Sequence, residues 1–310
     1  MPRHLLDIAD VSRDHTERLF GMADEGPRPH VLEGLTYLSA FFQESTRTRL
    51  GFMSAAACQG ASVLDMGDAQ RLRLEPSRDQ QMVLAAVADI VGVRHWNAKF
   101  AGELASRDQC CVVNAGAGSI SHPTQALIDA YTLRRTFGHD ISGLRVLFVG
   151  TLLRSALCFR TLADALGVCV TQCTVDADAS RVESMRCRAE LQAADVIYVQ
   201  SLSDTDYSGP DLNSGPCGPA LPRWTVDAIG RCKGRIMHAL PRGPELPDSL
   251  IWDKRSLVAA QMEHGLSVRS AVLPPGSTVS QCAARCFDGS FSCRRNRDRP
   301  GSARSSTPVR

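Results

Sequence analysis

The segment FFQESTRTRL, residues 41–50, places hydroxyl and guanidinium groups together at a predicted helix terminus. Ser45 is predicted to be the N-cap of a helix over residues 46–58 that ends before Gly60. Backbone N–H groups in a first helical turn lack helical partners, and the helix dipole favours negative charge there. Hydroxyl groups and arginines can donate to an anion. Taken alone, the segment fits a phosphate-binding turn and a capped surface helix about equally well.

Further polar side chains follow the ends of predicted strands. Arg94 in VRHW lies at the carboxyl end of one strand, the edge at which ligands collect in open parallel sheets. His122 precedes a proline at the first position of a helix, and Gln125 faces the same helix end. His238 and Leu240 in MHALPRG follow another strand. A lone histidine in such a place is more often a cap or core residue than a catalyst, so the specificity comes from the combination and its order.

Two series of predicted strands and helices must position these side chains. The first has strands at 61–66, 89–95 and 110–116 and helices at 46–58, 78–88 and 123–136. The second has strands at 143–150, 168–175, 195–200 and 234–240, again separated by helical segments. The first helix is predicted to present an apolar face of Leu50, Met53 and Ala57. Continuous apolar strands that alternate with helices predict an α/β protein of two domains, each a parallel sheet flanked by helices, joined by a hinge near 137–143.

Composition limits the classes of function. The 310 residues are enough for two ordinary domains, and 44% hydrophobic with 22% charged residues is normal for a soluble globular chain. A net charge of +2 predicts neither a nucleic-acid partner nor a membrane surface. The N-terminal residues carry charges too early for a signal peptide, and no apolar run is long enough to span a bilayer. A cytoplasmic location is therefore expected.

The twelve cysteines do not change this expectation. Most lie in apolar runs, where a reduced cysteine acts as a small hydrophobic residue, among them Cys110, Cys111, Cys158, Cys169 and Cys173. After Leu273 the chain becomes rich in Arg, Ser, Pro and Gly, which predicts a disordered basic tail over 274–310. The cysteines in that tail lack a histidine or a recognised ligand spacing, so no metal site is predicted.

The chain resembles the aspartate/ornithine carbamoyltransferase family over nearly all of residues 1–273. Five segments carry the resemblance: FFQESTRTRLGF, VRH, NAGAGSISHPTQALIDAYTL, GLRVLFVG and HALPR. The aspartate branch is the more similar, because ornithine enzymes usually carry HCLP in place of HALP and an SMG segment that is absent here. The resemblance implies a carbamoyl-phosphate-binding domain at 1–138, completed by a closing helix at about 258–273, and an acceptor domain at 139–257. It also implies a homotrimer with active sites shared between subunits, and no metal or organic cofactor.

The resemblance also implies roles for individual residues. Ser45, Arg47, Thr48 and the backbone at Thr46 would hold the phosphate. Thr48, Arg94 and His122 would surround the carbamoyl oxygen, where negative charge develops when an amine attacks the carbonyl carbon. The carbamoyl NH2 group would be held by the side chain of Gln125 and the backbone carbonyl of Leu240.

The acceptor half departs from the family pattern. An arginine that grips a carboxylate of aspartate aligns with Ala156, and Arg154 lies two residues earlier. A second such arginine aligns with Ser201, and a nearby glutamine becomes Ser203. The loop at 66–80, which a neighbouring subunit would contribute, lacks the family's lysine; Arg71 or Arg73 would have to replace it, although an arginine fork is not a lysine point charge.

Three interpretations of the acceptor half remain open. The chain could be a carbamoyltransferase for a different amine, with a pocket rebuilt from Arg154, Ser201 and Ser203. It could be a non-catalytic homologue that acts as a scaffold or partner subunit. Finally, Arg154 could reach the site and support ordinary aspartate chemistry weakly. Loss of one charge-assisted partner forfeits roughly 1.5–3 kcal/mol, so two missing arginines would lower the use of aspartate by orders of magnitude.

Overall fold

A first parallel sheet is formed by the N-terminal half of the chain. The computed structural model describes residues 3–67, 72–117, 121–150, 154–173, 181–200 and 221–275, together with Val279. The strands, in the spatial order β2-β1-β3-β4, are β1 (Thr36–Phe41), β2 (Ser62–Asp65), β3 (Ile90–His95) and β4 (Cys111–Ala117). The helices of this half are α1 (Arg13–Glu25), α2 (Thr46–Cys58), α3 (Ser77–Val87), α4 (Phe100–Ala105) and α5 (Pro123–Phe137), with 3-10 turns at Ile8–Asp10 and Leu72–Leu74.

A second parallel sheet follows α5. Its strands, in the spatial order β6-β5-β7-β8, are β5 (Arg145–Val149), β6 (Cys169–Cys173), β7 (Val196–Val199) and β8 (Arg235–Met237). The helices are α6 (Arg154–Leu166), α7 (Arg181–Ala193), α8 (Arg223–Arg231), α9 (Asp248–Ile251) and α10 (Val258–Val272). Within the described ranges, no helix combines the length and apolar character needed to cross a membrane.

The predicted fold class is confirmed, including the return of the C-terminal helix to the first half. α10 packs against α1, α2 and α5. One hydrophobic core extends through both halves, from Phe20 and Phe52 beside the first sheet to Phe148 and Tyr198 of the second. The domain boundaries remain predictions, and the predicted tail lies outside the described residues except at 274, 275 and 279.

Two local predictions in the first half are corrected by the structure. β1 was not among the predicted strands, yet it lies between β2 and β3 and is buried from Tyr37 onward. The buried face of α2 contains Phe52, Ala55 and Ala56 rather than the predicted set, of which Leu50 is 58% exposed. The helix packs against α10 and β1, and these contacts determine which of its faces is buried.

The cysteine predictions are partly wrong. Cys173, expected to be reduced, is joined by a disulfide to Cys187, with 5.8 Å between the two Cα atoms. The end of β6 and helix α7 bring the pair together, which composition cannot indicate. Cys169 is an exposed thiol rather than a core residue, whereas Cys110, Cys111 and Cys158 are buried as expected.

Candidate functional site

The carboxyl edge of the first sheet carries the starts of the helices that hold the predicted site residues. α2 follows β1 and has Ser45 as its N-cap, as predicted, although the side chain makes no cap hydrogen bond. Phe41 at the end of β1 is in register with Arg94 in β3, and the Phe42 N–H donates to the Arg94 carbonyl at 2.8 Å. His122 follows β4 and is the N-cap of α5. Ser45, Arg94 and His122 therefore belong to one sheet edge, the carboxyl edge at which open parallel sheets bind ligands.

The first turn of α2 distinguishes its two arginines. Arg49 donates from Nε to Asp65 Oδ1 at 3.0 Å and pairs through Nη2 with the other carboxylate oxygen. Arg47 forms no ion pair within the described ranges; its side chain is exposed, but nearby protein atoms remove water from the guanidinium and lower its pKa. Thr46 is exposed and Thr48 is half-buried in the same turn. An anion at this helix terminus would therefore meet Arg47 rather than Arg49.

Arg94 and His122 converge on the backbone of Gly116. A Cβ atom at this glycine would lie 2.5 Å from Arg94 Nη1 and 3.0 Å from His122 Nδ1. Gly116 has a φ of +130°, which side-chain-bearing residues rarely adopt. Asn114 holds this segment, because its Oδ1 accepts the Gly116 N–H at 2.9 Å and its Nδ2 donates to the Leu6 carbonyl at 2.7 Å. The arrangement places two hydrogen-bonding side chains side by side, as stabilisation of an oxyanion requires.

The segment before α5 is held from two directions. The His122 N–H donates to Cys158 Sγ in α6 at 3.2 Å. Ser121 Oγ donates to Asp7 Oδ2 at 2.7 Å. Burial raises the pKa of the Cys158 thiol, which is therefore neutral at pH 7. His122 is thus positioned by α6 on one side and by the N-terminal segment on the other.

A buried carboxyl group lies one helical turn beyond Gln125. Oδ1 of Asp129 accepts from Gln125 Nε2 at 2.9 Å and from Gln261 Nε2, in α10, at 2.7 Å. Its Oδ2 accepts from the hydroxyl of Tyr198, in β7, at 2.8 Å. Burial raises the pKa of Asp129 to about 6, against the opposing effect of these three hydrogen bonds. We call Gln125, Asp129, Tyr198 and Gln261 the Asp129 cluster.

Leu240, which follows β8, is linked to the same cluster. It has a φ of +54°, a genuine outlier for a bulky residue. Its N–H donates to His238 Nδ1 at 2.8 Å, and His238 Nε2 is hydrogen-bonded to buried Glu245 at 3.1 Å. The His238 N–H donates to Gln261 Oε1 at 3.2 Å. Gln261 therefore connects the turn at Leu240 with the Asp129 cluster.

The acceptor half of the predicted site is described only at Ala156. This residue lies in the first turn of α6 and is 1% exposed, within the continuous core. The side chains of Arg154 and Arg73 and all of Arg71, Ser201 and Ser203 lie outside the described residues. Among the residues that the structure describes, no group of His, Cys, Asp and Glu side chains could hold a metal ion.

Three members of the Asp129 cluster were not predicted from sequence. Asp129 follows Gln125 by four positions on one helix face, a spacing at which side chains meet. That signal was available in the sequence. Gln261 and Tyr198 carry no such sequence signal, because each contacts Asp129 over a separation of 132 and 69 residues, respectively.

The chain is similar in sequence to known proteins of one family. Residues 3–135 match a family model described as "Aspartate/ornithine carbamoyltransferase, carbamoyl-P binding domain". The aspartate carbamoyltransferase catalytic subunit of Sphingopyxis alaskensis is 33% identical, over 87% of this chain and 86% of that protein. The corresponding subunit of Mycobacterium leprae is 32% identical, over 88% of this chain and 95% of its own length.

Solved structures share the fold at lower identity. Aspartate transcarbamoylase from Trypanosoma cruzi, in complex with carbamoyl aspartate and phosphate, is 22% identical with a TM-score of 0.69, covering 87% of this chain and 94% of that one. Ornithine carbamoyltransferase from Thermus thermophilus is 23% identical with a TM-score of 0.71, covering 88% and 98%. At these identities the structural similarity shows the fold alone.

Proposed function

Because this chain belongs to the aspartate/ornithine carbamoyltransferase family, we propose that it transfers the carbamoyl group of carbamoyl phosphate to the amine of an amino-acid-like acceptor. The observation that carries this proposal is the convergence of Arg94 and His122 on Gly116 at the sheet edge where α2 begins. The relatives named above are aspartate carbamoyltransferase catalytic subunits, so the enzyme is of the aspartate-carbamoyltransferase type.

The proposed reaction needs positioned charge rather than a nucleophile from the protein. The acceptor amine attacks the carbonyl carbon, the bond from that carbon to the bridging phosphate oxygen breaks, and inorganic phosphate leaves while the amine loses a proton. Negative charge that develops on the carbamoyl oxygen would be stabilised by Thr48, Arg94 and His122. The departing phosphate would be held by Arg47, Ser45, Thr48 and the backbone N–H groups of the first turn of α2.

The carbamoyl NH2 group donates hydrogen bonds and therefore needs acceptors. The Gln125 side-chain oxygen and the Leu240 carbonyl are the proposed acceptors. Among the residues that the structure describes, neither oxygen accepts a hydrogen bond from the protein. Both remain available to a ligand.

The acceptor is aspartate or another amine that carries acidic or polar groups. Burial of Ala156 in the core means that no side chain at that position grips a carboxylate, which favours a rebuilt acceptor pocket that includes Arg154 and Ser201. We further propose a homotrimer with shared sites, a carbamoyl-phosphate domain at 1–138 completed by α10, and an acceptor domain at 139–257. Pyrimidine biosynthesis is the corresponding pathway if aspartate is the acceptor.

Buried Ala156 also supports a second candidate function. A homologue that binds carbamoyl phosphate without transferring its carbamoyl group would serve as a scaffold or partner subunit. Such a protein needs the first sheet edge but no acceptor selectivity.

A transfer assay with matched variants tests both candidates. Purified protein is incubated with labelled carbamoyl phosphate and a panel of amines that includes aspartate and ornithine, and carbamoyl-phosphate affinity is measured by calorimetry. Arg47→Ala is expected to weaken binding by at least about tenfold, since one charge-assisted partner is lost. Arg49→Ala is the control, because this arginine pairs with Asp65 and should leave binding unchanged.

The outcomes separate the candidates. Product with one amine identifies the acceptor and supports the transferase. Binding without product for any amine of the panel favours the scaffold. Equal affinities of the Arg47→Ala variant and the unsubstituted protein would contradict the phosphate assignment.

A further inference from the structure

We propose that Asp129 is a positioning residue that orients both acceptors of the carbamoyl NH2 group, and so makes the site selective for a carbamoyl over an acyl phosphate. The inference rests on the proposed function, because it assumes that carbamoyl phosphate binds beside Gln125 and Leu240. It adds a residue that would not touch the ligand and a specificity that this residue would control.

The first step concerns the orientation of the Gln125 amide. An ionised carboxylate is an acceptor only, so the group of Gln125 that faces Asp129 must be the NH2 donor. With a pKa of about 6, Asp129 is mostly ionised at pH 7.5. Its charge therefore excludes the flipped amide, in which two oxygens would meet. The Gln125 carbonyl oxygen is left on the other side of the amide, where an incoming NH2 group can donate to it.

The second step concerns Leu240. Gln261 donates to Asp129 through Nε2, which commits its Oε1 to the His238 N–H. His238 in turn accepts the Leu240 N–H, and Glu245 holds the far side of its ring. This chain of hydrogen bonds supports the left-handed backbone of Leu240 and hence the direction of its carbonyl. The same carboxylate thus organises the second acceptor.

The third step concerns how the buried cluster, which joins elements of both halves, reaches the site. Tyr198 belongs to β7, whereas Asp129 belongs to α5, which follows the first sheet. Three members of the cluster, Asp129, Tyr198 and Gln261, are buried, whereas Gln125 is half-buried. Gln125 is therefore the member through which the buried cluster meets the solvent-accessible site.

The test compares two ligands that differ only at the group in question. Acetyl phosphate has the carbonyl and phosphate of carbamoyl phosphate but a methyl group in place of NH2. The affinities of both ligands and of inorganic phosphate are measured by calorimetry at pH 7.5 on the full chain. Asp129→Asn preserves the shape but replaces the acceptor-only carboxylate by an amide, which can pair with either orientation of the Gln125 amide. We expect it to lower the preference for carbamoyl over acetyl phosphate by about tenfold for each acceptor misplaced.

Two further variants keep the test decisive. Gln261→Met removes the hydrogen bonds of this residue to Asp129 and His238 but keeps the one between Gln125 and Asp129. It is therefore expected to lower the preference less than Asp129→Asn does. Tyr131 lies in α5, like Asp129, but outside the cluster, and its hydroxyl donates to Asp24 at 2.8 Å. The control variant Tyr131→Phe removes this hydroxyl and should leave the preference for carbamoyl phosphate unchanged. If Asp129→Asn does not fold, the preference for carbamoyl over acetyl phosphate in Gln261→Met alone tests the inference: a lowered preference supports it and an unchanged preference contradicts it.

Each outcome bears on a different claim. If the unsubstituted protein binds carbamoyl phosphate no better than inorganic phosphate, the proposed function is wrong and the inference falls with it. If it binds carbamoyl phosphate and the folded variants keep the full preference, only the role of Asp129 is wrong. If a variant loses affinity for acetyl phosphate and inorganic phosphate to the same extent as for carbamoyl phosphate, the substituted residue is merely structural. That result would also overturn the inference.

Discussion

Substitution of Gly116 by alanine should weaken carbamoyl-phosphate binding while leaving most of the fold intact. The added Cβ would lie 2.5 Å from Arg94 Nη1 and 3.0 Å from His122 Nδ1, whereas ordinary van der Waals contact begins at 3.4 Å. The guanidinium would have to retreat by about 0.9 Å and the imidazole by about 0.4 Å to restore that contact. Productive constellations tolerate displacements of only about 0.5 Å, so the Arg94 contact should be lost.

The size of the effect follows from the kind of contact. A hydrogen bond from a charged donor contributes about 1.5–3 kcal/mol, which corresponds to a rise in Kd of about 10- to 100-fold. The φ of +130° adds a strain of about 1–3 kcal/mol for a residue with a side chain, which should appear as lower stability to urea. Inorganic phosphate, which lacks the carbamoyl oxygen, should lose less affinity than carbamoyl phosphate.

The assay is calorimetric titration of both ligands, with urea unfolding as the measure of stability. Gly102→Ala is the matched control, because no atom lies within 4 Å of its added Cβ and the residue is exposed on α4. Helix propensity predicts that this control is stabilised by up to about 1 kcal/mol. A folded Gly116→Ala variant with an unchanged Kd for carbamoyl phosphate would refute the placement of Arg94 and His122 in the site.

Two other predictions follow from buried ionisable groups. Burial raises the pKa of Asp129 to about 6, above its ordinary value of 3.8. Between these two pH values the folded chain therefore binds more protons than the unfolded chain, so the free energy of unfolding rises as the pH falls through 6. We therefore expect acidification from pH 7.5 to 5 to lower the preference for carbamoyl over acetyl phosphate without a loss of stability attributable to Asp129; a constant preference would count against the cluster. The second prediction concerns Arg269, which is 7% exposed and forms no ion pair within the described ranges. The central carbon of its guanidinium lies 5.8 Å from the centroid of the Phe52 ring, and burial is the main cause that lowers its pKa to about 10. Arg269→Met should leave the free energy of unfolding in urea unchanged or raise it by about 1 kcal/mol, and a decrease of more than about 2 kcal/mol would contradict this account.

Periodicity and strand-end motifs were sufficient to predict the two parallel sheets and the positions of Arg94 and His122. These signals are local, since a strand end or an N-cap depends on a few neighbouring residues. β1 was not predicted because its sequence, TYLSAF, is short and contains two small residues, although the strand is buried between β2 and β3. The apolar face of α2 was misassigned because side-chain type alone favours Leu50, whereas the buried face depends on contacts with α10, which is distant in sequence.

The candidate site could be predicted only where its residues are close in sequence. The STRTR segment does not reveal which arginine is available, because the partner of Arg49 is Asp65, 16 residues away. The Asp129 cluster depends on contacts between α5, β7 and α10, over separations of 69 and 132 residues. Such long-range partners leave no periodic trace in a single sequence.

The core shared by the two sheets has a consequence for how the chain unfolds. Phe20 and Phe52 near the first sheet belong to the same apolar cluster as Phe148 and Tyr198 of the second, and α10 covers α1, α2 and α5 from the far end of the chain. Neither half can lose its structure without exposing apolar surface of the other, so we expect the described halves to melt together in one cooperative transition. A ligand held by the first sheet edge alone then raises the melting temperature of the entire chain in one transition, by mass action. The resistance of the second sheet to heat would then report what is bound at the first turn of α2, in the other half of the chain.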